Sequence, residues 1–78
     1  MYFSIKEVKP CSNYLLDLIF ENGEIRVFDM KPYLDNGIFK ELKNIALFNT
    51  VKVSFDTIEW DNKADLDPEF LYNESKSL

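Results

Sequence analysis

Apolar and polar residues alternate along several short stretches of the chain, and the breaks between them fall at turn-forming residues. Tyr2 to Val8 is rich in apolar and β-branched residues and stops at Pro10-Cys11-Ser12-Asn13, a cluster that bends a chain more readily than it extends it. A first strand is predicted there. Tyr14 to Phe20 and Glu24 to Asp29 flank Asn22-Gly23, a dipeptide that accepts the two positive φ angles of a type I′ turn, so an antiparallel hairpin follows. With Asn22 and Gly23 as the loop, Phe20 stands opposite Ile25 and Leu18 opposite Val27. Tyr14, Leu16, Leu18, Phe20, Ile25 and Val27 then share the predicted core face. Leu15, Asp17, Ile19, Arg26 and Phe28 take the other face, where Asp17 and Arg26 are diagonal neighbours able to pair. Such an exposed pair contributes only about 0–1 kcal/mol.

Beyond the hairpin, Met30 to Asn36 contains Pro32, which suits the first turn of a short helix, and Gly37 supplies a left-handed stop. Ile38, Phe39 and Leu42 recur at helical spacing opposite Lys40, Glu41 and Lys43, and Ile45 to Phe48 extends that apolar surface. Val51 to Phe55 alternates, and after Asp56-Thr57 the alternation resumes in Ile58-Glu59-Trp60. A second hairpin is predicted, with Val51, Val53, Phe55, Ile58 and Trp60 on one side and Lys52, Ser54 and Glu59 facing water. Asp67 before Pro68 is a helix start, an acceptor for backbone donors followed by a residue already at helical φ, and Phe70 and Leu71 pin that helix down. Glu74 to Leu78 reads as a frayed tail. The predicted class is α+β, a single domain over 1–78. It has a small antiparallel sheet of about five strands in a hairpin meander, with short helices that include one at the C-terminus.

Composition narrows the function more than the shape. At 78 residues the chain has material for one core. It contains no histidine, which removes the only side chain whose ordinary proton affinity lies near neutrality. Cys11 is the sole cysteine, so no internal disulfide forms, and a reducing, cytoplasmic setting is expected. The first residues lack a basic start followed by an apolar run, and the longest apolar stretch, Tyr14 to Phe20, is far short of a membrane span; neither secretion nor a membrane anchor is expected. The net charge is −5, and residues 56–78, with seven acids against two bases, carry all of it. One arginine and scattered lysines do not make a phosphate-binding patch, so direct nucleic-acid binding is not expected.

An ordered set of residues carries a resemblance. Tyr14 through Phe20, Asn22-Gly23-Glu24, Val27-Phe28-Asp29, Gly37 with Phe39 and Leu42, Phe48, Val51-Lys52-Val53, Trp60, and Asp65 through Tyr72 together resemble domain of unknown function 2442, over nearly the whole chain. The family's closing pattern usually has proline after the tryptophan and glycine before the alanine-aspartate pair, where this chain has Asp61 and Lys63. The resemblance implies a small α+β domain of bacterial type, sometimes fused to a helix-turn-helix module or encoded beside another small protein in a toxin-antitoxin-like arrangement. It brings no activity, and a DNA-binding module is not expected within this chain.

Candidate chemistry is sparse. Cys11 and the serines have no general base in view, and Gly23 and Gly37 are used by turns, so no catalytic residue, cofactor site or metal site is assigned. Asp61, Asp65, Asp67 and Glu69 lack the spacing of a calcium loop. Asp65 is expected to bond loop backbone donors and Asp67 to cap the last helix. Trp60 and Tyr72 are read mainly as core anchors, and with Asp65 and Asp67 they form a structural or functional loop candidate. Leu15, Ile19, Arg26 and Phe28, on the face away from the core, are the candidate interaction surface. The leading expectation is a non-enzymatic interaction module whose partner is another protein, with homo-oligomers also open. A small-ligand or metal-binding domain built on the acidic and aromatic C-terminal segment is the alternative.

Overall fold

The computed structural model describes residues 3–78. Tyr2, with which the predicted first strand opens, lies outside the described residues. The strands are β1 (Ile5–Cys11), β2 (Leu15–Phe20), β3 (Ile25–Asp29), β4 (Lys52–Ser54), β5 (Thr57–Glu59), β6 (Asp65–Leu66) and β7 (Lys76–Ser77). The α-helices are α1 (Ile45–Phe48) and α2 (Pro68–Glu74), and 3-10 turns cover Ser12–Tyr14, Lys31–Tyr33 and Gly37–Lys43. All pairings are antiparallel, in a four-stranded sheet of order β1-β2-β3-β7 and a three-stranded sheet of order β4-β5-β6. The α+β class therefore holds, with the strands divided between two sheets. The Ile5 amide donates to the Asp56 carbonyl at 3.0 Å and ties the start of β1 to the tip of the β4–β5 hairpin.

β1 runs on through Pro10 and Cys11, past the predicted stop. Pro10 stands opposite Leu16, and because β1 is an edge strand its missing donor breaks no inner ladder. The turn into β2 falls instead on Asn13 and Tyr14, both at φ +60°. Asparagine tolerates that conformation, and tyrosine is held in it by packing. The Tyr14 ring meets Phe48 edge-on at 5.2 Å and its hydroxyl donates to the Lys43 carbonyl.

The β2–β3 hairpin forms where expected but in another register. Its loop has three residues, Glu21 to Gly23, and only Gly23 has positive φ. The Gly23 amide donates to the Phe20 carbonyl, and the Phe20 amide to the Glu24 carbonyl, each at 2.9 Å. This is a type I turn followed by a glycine bulge, not a type I′ turn. The extra loop residue leaves the inward set of β2 unchanged and reverses that of β3, so Leu16 pairs with Phe28 and Leu18 with Arg26. Leu16, Leu18 and Phe20 are buried as predicted; Phe28 is buried where Val27 was expected, and Ile25 is 49% exposed.

The same loop recurs between β5 and β6. The Lys63 amide donates to the Trp60 carbonyl and the Trp60 amide to the Ala64 carbonyl, each at 2.9 Å. Asn22 and Asn62 act alike, their side-chain oxygens accepting from the amides of Glu24 at 2.9 Å and Ala64 at 3.0 Å. Lys63 occupies the glycine position of this loop, at φ +74°.

The core lies on the inner face of the larger sheet, where Leu16, Leu18, Phe20 and Phe28 meet Met30, Leu42, Phe48, Ile58, Trp60 and Leu71. Burying apolar side chains contributes roughly 1.5–3 kcal/mol each. Trp60 is fully buried, and its indole N–H donates to the Phe48 carbonyl at 3.0 Å, so its one polar atom is satisfied. The Asn44 side chain caps α1 by accepting from Ala46 and Leu47 amides. Glu74 to Leu78 is not a free tail, because β7 pairs with β3 through Arg26–Ser77 and Val27–Lys76.

Candidate interaction surface

The outer face of the larger sheet, opposite the core, is built by alternation. Leu15, Asp17 and Ile19 on β2 and Ile25, Val27 and Asp29 on β3 point away from the buried set, beside Glu7, Lys9 and Cys11 of β1. Of the predicted surface residues, Leu15 and Ile19 belong to this face. Phe28 does not, because the register places it in the core. Arg26 likewise turns inward, away from Asp17, and the predicted Asp17–Arg26 pair does not form.

Arg26 instead locks the end of the chain to the hairpin. Its Nε donates to Ser75 Oγ at 2.8 Å, one terminal nitrogen to the Ser75 carbonyl at 2.8 Å, and the other to Glu24 and Ser77 Oγ at 3.1 Å each. The guanidinium carbon lies 4.4 Å from the centre of the Tyr72 ring. The side chain is 14% exposed and each of the three nitrogens of its planar fork donates. Tyr72 donates its hydroxyl to Glu24 at 2.6 Å. That bond, then Asn22 and Arg26, holds the Glu24 carboxyl below its ordinary range, while the bond to Glu24 and partial desolvation raise the Tyr72 phenol.

The loop candidate divides. Trp60 is in the core and is not available to stack on a ligand. Tyr72 is on α2, with Phe3 stacked at 4.3 Å and Phe20 edge-on at 5.2 Å in addition to Arg26. Asp67 caps α2 by accepting from the Phe70 amide at 3.1 Å. Asp65 stands exposed on β6 opposite Glu59, and in the loop before it the Ala64 amide donates to Asn62. Asp61 pairs with Lys52 at 3.1 Å. Among the described residues no three His, Cys, Asp or Glu side chains gather into a metal-binding group. Burial, then the nearby Asp17 carboxylate, holds the Cys11 thiol above the usual cysteine range, the opposite of what an activated nucleophile requires.

Phe55 also lies away from its expected place. It was expected on the core side of the second hairpin, but the two-residue loop is Phe55-Asp56, with Ser54 opposite Thr57 and Val53 opposite Ile58. Its side chain is 99% exposed and its φ is +56°. The loop lies one residue earlier than predicted, so Val53 and Ile58 keep a common side while Phe55 moves to the tip. Positive φ at the first loop position is the type II′ arrangement, which favours glycine. The available signal was spacing: placing Phe55 and Asp56 between Ser54 and Thr57 preserves the alternation on both strands.

No helix among the described residues is long and apolar enough to cross a membrane. Comparisons with curated proteins and with solved structures find no match. A family model matches residues 5–77, nearly the whole chain, and the chain belongs to that family: Protein of unknown function (DUF2442).

Proposed function

We propose that the protein is a non-enzymatic interaction module of the cytoplasm that works by binding another protein, as one member of a small regulatory or toxin-antitoxin-like pair. Phe55 carries this reading. A left-handed conformation costs an L-residue roughly 1–2 kcal/mol, and a bulky residue with positive φ is an outlier. Tyr14 has the same strain but offsets it by packing on Phe48 and bonding Lys43. Phe55, almost wholly exposed, has no such compensation among the described residues. Backbone strain of this kind is retained at binding and switch positions. The absence of histidine and the protonated Cys11 support the non-enzymatic part of the reading.

The test replaces Phe55 with the photo-crosslinking residue benzoylphenylalanine in the native host. The expected result is one discrete crosslinked protein species, lost when an excess of unlabelled wild-type chain competes but retained when Phe55→Gly competes. Irradiation that yields no discrete species refutes the proposal.

A further inference from the structure

We infer that the outer face of the three-stranded sheet receives an arginine side chain of the partner protein, held between Glu59 and Asp65 beside the ring of Phe55. This rests on reading Phe55 as a contact residue and names the chemistry of what it contacts. Glu59 and Asp65 stand directly opposite one another in the β5–β6 pair, on the side away from the buried Ile58. Like charges so opposed destabilise a sheet. Neither carboxylate takes part in any ion pair among the described residues, and Lys52, on the other flank of Glu59, is drawn to Asp61 at 3.1 Å. A cation entering from outside turns that repulsion into two attractions. The room for it is a hollow of about 340 Å³ whose walls include Ser54, Phe55, Thr57, Glu59, Lys63 and Asp65. Phe55 at φ +56° and Lys63 at φ +74°, in the loops before and after β5, both line this hollow, and backbone strain gathers at ligand clamps.

Geometry and charge select arginine, and they select a different protein as its source. Side chains directly opposite in an antiparallel pair start about 4.5–5.5 Å apart, a spacing that a planar guanidinium can serve from two edges while an ammonium acts as a single point charge. A guanidinium also stacks on an aromatic ring, and Phe55, 99% exposed, leaves its ring open to one. Lys63, the one base in the wall, forms an ion pair with neither carboxylate, so the hollow keeps a surplus of negative charge. The segment that supplies most of the wall, residues 56–78, holds seven acids against two bases. A second copy of this chain cannot provide the occupant. Its one arginine is Arg26, 14% exposed and donating from all three nitrogens. The same charge that draws a basic segment repels nucleic acid and anionic membranes.

The probe is a blocked tripeptide with arginine between two valines, titrated into the full chain and followed by amide NMR shifts, beside the same peptide with lysine or with citrulline, the uncharged analogue of arginine. The arginine peptide is expected to give saturable shifts confined to residues 54–59 and 63–65, the lysine peptide to bind several-fold more weakly, and the citrulline peptide to give none. Glu59→Gln and Asp65→Asn are each expected to weaken the arginine peptide by roughly 3- to 10-fold without lowering the melting temperature, since each relieves the opposed charges. Lys63→Gly, which removes the nearby cation, is expected to tighten it by roughly 2- to 5-fold. Glu69→Gln, an exposed acid on α2, should leave it unchanged, which separates this face from general acidity. Absence of saturable shifts, citrulline binding as well as arginine, or weaker binding by Lys63→Gly overturns the inference. The comparison of arginine with citrulline uses the wild-type chain alone, so it decides whatever the variants do to folding. The benzoylphenylalanine crosslink separates this failure from failure of the module reading. A discrete crosslinked protein whose contact segment carries arginine supports both, one whose contact segment has none overturns the inference and leaves the module reading standing, and no discrete species overturns both.

Discussion

Lys63→Gly is expected to stabilise the protein, although it removes a side chain and adds none. The loops Phe20 to Glu24 and Trp60 to Ala64 have matching backbone bonds and matching asparagines, yet one carries glycine at φ +90° and the other lysine at φ +74°. Left-handed φ costs an L-residue roughly 1–2 kcal/mol, and against this the extra freedom of glycine in the unfolded chain costs about 0.4–1 kcal/mol. Lys63 takes part in none of the four ion pairs among the described residues, so little else is lost. The net gain is about 0.5–1 kcal/mol, or a rise in melting temperature of about 2–8 °C for a domain of this size. The converse change, Gly23→Lys, is expected to cost a similar amount, because a Cβ at Gly23 meets nothing within 4 Å and the penalty is confined to the backbone. Urea unfolding followed by circular dichroism measures both; the midpoints should move in opposite directions with unchanged slopes, and the double variant should return near wild type. A Lys63→Gly midpoint at or below wild type would show that the bulge position is not under strain and would refute the reasoning.

Three further outcomes follow from the contacts around α2. Arg26→Leu is expected to lower stability by roughly 2–3 kcal/mol in chemical denaturation, since it deletes a set of charge-assisted bonds to Ser75, Ser77 and Glu24, and Arg26→Lys should recover only part of this because an ammonium lacks the planar fork. Asp67→Ala is expected to cost about 1 kcal/mol, read as a lower melting temperature, by leaving the Phe70 amide without its cap. The Glu24–Tyr72 bond gives stability a pH dependence at both ends. Glu24 is depressed when folded, so its contribution is complete above the ordinary glutamate range and lost as pH falls through the lowered value. Tyr72 is raised, so its contribution is complete below the ordinary tyrosine range and lost as pH rises through the raised value. Tyr72→Phe should flatten both limbs of the melting temperature against pH, and unchanged limbs would show that another pair carries them.

What the sequence disclosed follows from how each signal works. The α+β class, both hairpins, the Asp67 cap and the burial of Trp60 were legible, because each rests on local pattern: alternation, turn dipeptides and an aspartate-proline start. Register was not, since Asn22-Gly23 fits either a two-residue loop or a three-residue loop with a glycine bulge, and that one residue decides whether Val27 or Phe28 enters the core. The candidate surface inherited the error, keeping Leu15 and Ile19 and misplacing Arg26 and Phe28. β7 was invisible because two residues, Lys76 and Ser77, form a strand only when β3 and the Arg26 fork are there to receive them. Phe55 was hidden by its own chemistry, since a phenylalanine at the end of an alternating run reads as core until its backbone angle is known.

Pro10 in the outermost strand has a consequence for how these molecules crowd together. A bare strand flank is a template on which further chains can stack without limit, the route to fibres. Here that flank carries a proline with no N–H to offer and an irregularity between Ile5 and Glu7, so an incoming backbone finds an interrupted ladder. Growth by backbone zippering is discouraged along this side, and encounters are left to side chains, whose geometry can saturate at a small, countable number of copies.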